Sequence, residues 1–205
     1  MEIISSIRKN SIGLGIFAIV TAGLIAVTQQ VTKDRIESNI LHAQQAAFSE
    51  ILPSNYYEND LYSSQISLGP DPLLGSHKAS FAYIGRVDGE FAGIIFETVA
   101  PGGYNGSMSL LVAINRAGVV TGSRVIRHQE TPGLGDKIDM KKSDWMRSFE
   151  NVSFMSLDKK QWKVKRDNGH FDQFTGATIT PRAVVKSVKN TLEYFQQHKA
   201  DLIKL

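Results

Sequence analysis

The chain has 205 residues, 42% of them hydrophobic, with 23 Lys and Arg against 20 Asp and Glu for a net charge of +3. That modest charge, with no Lys/Arg cluster and no interleaved aromatic stripe, provides no nucleic-acid-binding face. With no cysteine the chain excludes disulfides and thiolate-held iron–sulfur clusters, so electron handling would fall to an organic cofactor.

The first predicted element is a membrane anchor. Ile12 to Val27 is an uncharged, mostly apolar run, and uncharged residues extend it from Asn10 to Thr32. A bilayer-spanning helix needs about 20 such residues. A removable signal peptide competes, but the run is long for a signal core and no Ala-x-Ala site follows it. Arg8 and Lys9 precede the run and Lys33 and Arg35 follow it, so the charge asymmetry is weak; a short basic N-terminal tail usually stays in the cytoplasm, which would send the bulk of the chain to the far side of the membrane. Roughly 170 residues remain, enough for one domain with its own core. Val31 to about Leu52 continues as a helix with an apolar stripe of Ile36, Ile40, Ala43, Ala47 and Ile51, stopped by Pro53.

Ser54 to His77 reads as an irregular connection with a short strand near Ile66. Two hairpins follow. Ala79–Val87 and Phe91–Val99 flank Asp88-Gly89-Glu90, and Ser107–Asn115 and Val119–Arg127 flank Arg116-Ala117-Gly118. A later strand is expected at Gln161–Lys165. Four antiparallel strands with a helix on each side in sequence make the fold α+β. Between the hairpins, Pro101 to Gly106 is glycine-rich, and Tyr104 in it could line a flat ligand. A second loop, His128 to Lys137, holds glycines on both sides of Leu134. Its amides and rigid Pro132-Gly133 would suit the edge and face of a flat ligand. His128 has no partner at metal-ligand spacing, so no metal site is expected. Glu130 and Asp136 with Lys137 read as a surface charge pair.

The most informative stretch is Asp172-Gln173-Phe174-Thr175-Gly176-Ala177-Thr178-Ile179-Thr180, followed by Pro181 and an amphipathic helix to about Ala200. Val184, Val188, Leu192 and Phe195 fall at helical spacing. Thr180 is placed as the N-cap, with Pro181 in the first turn. Free N–H groups and the positive dipole end suit a phosphate, with Thr175, Thr178 and Thr180 around it. On local physics alone the stretch is equally a capped helix and nothing more. The serines lack a partner arrangement and there is no Gly-x-Ser-x-Gly elbow, so no catalytic residue is assigned.

Asp172 to Thr178 resembles the flavinylation motif Asp-x-x-Ser/Thr-Gly-Ala-Thr without departures, and Glu130-Thr131-Pro132-Gly133-Leu134-Gly135 matches a second flavin-domain signature residue for residue. Over essentially its whole length the chain resembles the G subunits of Rnf (Rsx) electron-transport complexes. The C subunits of the sodium-pumping NADH:quinone reductase share both motifs and are the nearest rival, but are generally longer. The resemblance implies covalent FMN, joined by a phosphoester to Thr178, with Asp172, Thr175, Gly176, Ala177, Thr180 and Glu130 to Gly135 around it; Tyr104 is added from the reading of its own loop. It implies an inner-membrane complex that couples electron transfer between ferredoxin and NAD to ion movement, with a periplasmic flavin domain. The implied partners are the other membrane subunits, a separate flavin transferase and membrane lipid. The division expected is 1–32 for the cytoplasmic tail and anchor, 33–78 for a stalk helix and irregular connection, and 79–205 for the FMN-binding domain. An anchored assembly or binding module without redox chemistry is the alternative from a different class.

Overall fold

The computed structural model describes residues 2–204, and in its first helix the side chains of 6–36, 38, 39, 42 and 47–51. That helix, α1, spans Glu2–Ile51. The chain forms two compact units, Met1–His42 and Ala43–Leu205.

In the first unit Ser6–Ile36 is long and apolar enough to cross a membrane, and it is not buried against protein. At about 1.5 Å per residue its 31 residues exceed the roughly 30 Å hydrocarbon layer. Its hydroxyls are satisfied within the helix: Thr21, Thr28 and Thr32 donate to the carbonyls of Phe17, Leu24 and Thr28 at 2.9, 2.8 and 2.7 Å. A lipid-facing hydroxyl needs such an internal acceptor. The expected apolar stripe is only partly a core stripe. Ile36 is exposed, Ala47 and Ile51 are buried, and the side chains of Ile40 and Ala43 lie outside the described residues.

The second unit is built on an antiparallel meander of β1 (Gln65–Leu68), β2 (Ser80–Val87), β3 (Glu90–Gly103), β4 (Gly106–Asn115) and β5 (Val120–Arg127), adjacent in chain order. β1 falls where the sequence predicts a strand near Ile66. Asp88 and Gly89, with φ of 51° and 78°, close the β2–β3 hairpin, and left-handed angles at both central residues match the twist of the strands. Strand residues alternate between faces, yet both faces are buried. Ala82, Ile84, Ile94, Phe96, Leu110, Val112 and Ile114 face one cluster, while Tyr83, Ile95, Leu111 and Ala113 face another.

The first face is covered by α2 (Ile179–Leu202), which buries Val184, Val188, Leu192 and Phe195. The Phe195 ring lies 6.4 Å from both Phe91 and Phe96. The other face receives the end of α1 through Ala47, Phe48, Ile51 and Leu52. Close approach there depends on Gly122, where an added Cβ would come within 2.7 Å of Ile51 Cα. Thr121 donates to the Ile51 carbonyl at 2.6 Å, and buried Arg124 reaches Glu50 at 3.0 Å.

The strand expected at Gln161–Lys165 is absent. Lys159–Gln161 and Lys165–Asp167 are single 3₁₀ turns, and Val164 makes only an isolated bridge to Phe171. Trp162 and Val164 do alternate with lysines, as a strand would, but each is a separate anchor. Trp162 meets Phe154 and Phe171 at 5.5 and 5.3 Å, and Phe171 stacks on Phe149 at 4.6 Å.

Candidate functional site

The flavinylation-like motif is a turn fastened at both ends. Phe174 is buried against Trp145, ring centroids 5.1 Å apart, and Trp145 donates its indole N–H to the Asp172 carbonyl at 2.9 Å. Ala177 N–H closes the turn on the Phe174 carbonyl at 3.1 Å, and Gly176 takes the left-handed φ of 80° that the turn needs. Thr175 and Gly176 are exposed, Ala177 and Thr178 half-buried. The Asp172 carboxylate pairs with Lys165 at 2.6 Å.

The three threonines do not ring one spot. α2 begins at Ile179, so the residue at the cap position is Thr178 and not Thr180. Thr178 makes no side-chain cap. Its hydroxyl instead meets Arg166 Nη1 at 3.3 Å. Thr180 is fully buried and donates its hydroxyl to the Glu130 carboxylate. Pro181 is the third helical residue, where a missing N–H costs no intrahelical bond, because the first amides of any helix lack an acceptor within it. The amides of Ile179 and Thr180 are left at the helix start beside Thr178.

Glu130 is not part of a surface pair. It is buried, as is Asp136. Besides the Thr180 hydroxyl its carboxylate accepts the Asn105 N–H at 3.1 Å. Asn105 extends its side-chain amide to the Gln129 carbonyl and the Thr131 hydroxyl, both at 3.0 Å. The carboxylate therefore fastens the β3–β4 turn, its own loop and the start of α2 to one point. Gly135 is needed for space: an added Cβ would lie 2.6 Å from Glu130 Oε2 and 2.9 Å from Thr180 Oγ1. Gly103 faces the other oxygen, with a Cβ 2.8 Å from Oε1.

The Leu134 and Gly135 amides turn back onto the Thr131 carbonyl at 3.1 and 3.2 Å, with Pro132 and Gly133 exposed at the bend. Leu134 is 45% exposed, and its Cδ2 would touch a Cβ on Gly176 at 3.6 Å. The stretches 130–135 and 172–178, far apart in sequence, thus meet in space. Tyr104 is 68% exposed at the tip of a tight β3–β4 turn, since β3 runs on to Gly103 and pairs with Gly106. His128 keeps a structural role, its Nδ1 accepting the Glu130 N–H at 3.2 Å.

Several neighbours of Thr178 carry no signal in the sequence. Arg166 stands on a 3₁₀ turn, and its backbone N–H is held by the Gln173 side chain at 3.0 Å. Arg182 grips Asp167 through two bonds of 2.6 and 2.8 Å, and that hydrogen bonding holds the Asp167 carboxyl below its usual range. A cleft of about 270 Å³ opens beside the helix start, lined by Val99, Pro101, Ile179, Arg182, Ala183 and Lys186 among others. Among the described residues no group of His, Asp and Glu could hold a metal ion. A hydroxyl, a guanidinium and two helix-start amides form a donor set suited to a phosphate ester, and exposed Leu134 and Ile179 add apolar surface close by.

A family model described as FMN-binding domain matches residues 103–193, and one described as RnfG N-terminal region matches residues 1–51. The chain is 45% identical to the G subunit of the ion-translocating oxidoreductase complex of Vibrio vulnificus, over 98% of this chain and 94% of that protein. The corresponding G subunits of Vibrio atlanticus and Shewanella oneidensis are each 44% identical, covering 98% and 95% of this chain and 95% and 92% of theirs.

Proposed function

The chain belongs to the family of ion-translocating oxidoreductase complex G subunits, and from that premise we propose that its globular unit carries FMN as a phosphoester on Thr178. As a member of that family it is an FMN-carrying electron-transfer subunit with one membrane-crossing helix, and it works beside the other subunits of the complex. The C-subunit reading is set aside, because the N-terminal match is to the G-subunit model and the relatives align over nearly their full lengths.

One observation supports the ester: the two signature stretches meet on either side of Thr178, Leu134 beside Gly176 and Glu130 on Thr180, and the half-buried Thr178 hydroxyl caps no helix amide. The Thr178 oxygen would take the place of a phosphate hydroxyl, with the net loss of one water. The helix start stabilises the remaining negative charge. Bound FMN supplies the electron-transfer chemistry, and the chain supplies position. Thr180 and Glu130 hold the helix start, while Gly133 and Leu134 lie where the loop would cover the ring. A separate transferase forms the ester, since the site offers a nucleophile without a general base. The inner-membrane placement is taken from the family, and Arg8 and Lys9, which precede the uncharged run from Asn10 to Thr32, support a cytoplasmic N-terminus with the flavin unit periplasmic. A tether also retains the cofactor where dissociation would lose it.

The test is the intact mass of the protein made alongside its transferase. Wild-type protein should gain FMN less a water, mapped to the peptide containing Thr178, and fluoresce in a denaturing gel. Thr178→Ala should remain folded and colourless. An unmodified Thr178 in wild-type protein, or flavin still attached to Thr178→Ala, removes the proposal.

A further inference from the structure

We propose that Arg166 is the phosphate-binding residue of this site, its guanidinium pairing with the phosphodiester that joins the flavin to Thr178. The inference rests on that ester and adds the residue that neutralises it. Lys163, Lys165, Arg166 and Arg182 lie on the surrounding segments, and Lys186 lines the adjoining cleft; their contacts with Thr178 separate them. Lys165 is held by Asp172 at 2.6 Å, and Arg182 by Asp167 at 2.6 and 2.8 Å. Lys163 and Arg166 both lie near Asp167, but Arg182 occupies both oxygens of that carboxylate. Among the described residues, Arg166 is the cation that hydrogen-bonds Thr178 Oγ1, 3.3 Å away.

Its placement is built. The 3₁₀ turn Lys165–Asp167 ends on Asn168 in a left-handed conformation, φ 59°. The Gln173 side chain, inside the flavinylation-like motif, accepts the Arg166 N–H at 3.0 Å. The Lys165 N–H bonds to the Phe171 carbonyl at 2.7 Å. The residue before Arg166 and the residue after it are thus tied to the motif and to α2, and Arg166 is left facing the hydroxyl. A diester keeps one negative charge and two free oxygens, and a planar guanidinium matches that pair with two parallel N–H donors. Lysine at the same place would supply charge without the fork.

The test compares full-length protein made with and without the transferase. Both forms are treated with an arginine-specific dicarbonyl reagent, and modification is mapped by peptide mass. Arg166 should react several-fold more slowly once Thr178 carries flavin, while exposed Arg147 should not change. In flavin-loaded Arg166→Gln the ³¹P resonance of the diester should move, and Arg166→Lys should restore only part of the shift. Equal Arg166 reactivity in the two forms, or a ³¹P resonance indifferent to Arg166→Gln, overturns the assignment while the ester stands. A Thr178 peptide with no flavin in wild-type protein removes the ester reading itself, so the two failures are distinguishable.

Discussion

Glu130 places a carboxylate where neither Gly103 nor Gly135 leaves space for a β-carbon. Gly135→Ala would push its methyl into the two oxygens of the Thr180–Glu130 bond, and overpacking of this kind costs about 1–3 kcal/mol. Glu130→Ala relieves the crowding but strands the Thr180 hydroxyl and the Asn105 amide, a loss of about 2–3 kcal/mol. Urea unfolding of the purified variants should show both losses, and the double variant Glu130→Ala/Gly135→Ala should be less destabilised than the sum, because the two share one contact. Strict additivity would mean that the glycine is kept for another reason. The sequence shows Glu130 and Gly135 as parts of one signature but not that one exists to make room for the other. That relation passes through Thr180, which is 50 residues away from Glu130.

At the scale of elements, the sheet is legible in the sequence and the segment after it is not. Asp88-Gly89 fixes a two-residue turn by its own conformational demands, and near-continuous apolar runs such as Leu110–Ile114 mark strands buried on both faces. From Gly135 to Phe171 order comes from isolated aromatic anchors and short 3₁₀ turns, which have no period to read. The cap falls two residues ahead of its expected place because a Thr before a Pro is a good local cap, whereas the fold turns Thr180 inward to Glu130. Two predictions belong here. Gly122→Ala should loosen the seat of α1 on the sheet and lower stability by about 1–3 kcal/mol, read as a lower urea midpoint. The Asp167–Arg182 clasp should respond to acid. Its carboxyl is held below the ordinary 3.8 chiefly by the Arg182 hydrogen bond. The stabilisation is therefore present above pH 3.8 and lost only as pH falls through the lowered folded value. Protection of Arg182 Nε–H from exchange, taken relative to free arginine at the same pH, should persist at about pH 4.5 and fall only below 3.8; loss of protection above that value would contradict the clasp.

For the whole molecule, the two compact units divide the work. The core clusters lie in Ala43–Leu205, and residues 6–36 bury nothing against protein. A chain beginning at Ala43 should fold and melt cooperatively, as near-ultraviolet circular dichroism would show; a non-cooperative melt would mean that the first unit supports the second. Thr178 is half-buried between two fully seated neighbours, Phe174 packed on Trp145 and Thr180 bound to Glu130. An enzyme that needed this stretch as a loose peptide would have to uproot both. If the proposed ester forms, its modifying enzyme would meet a finished surface rather than a nascent strand, and colour would be acquired last. Yellow protein would then double as a quality mark, reporting chains that had already completed their journey and closed around the threonine.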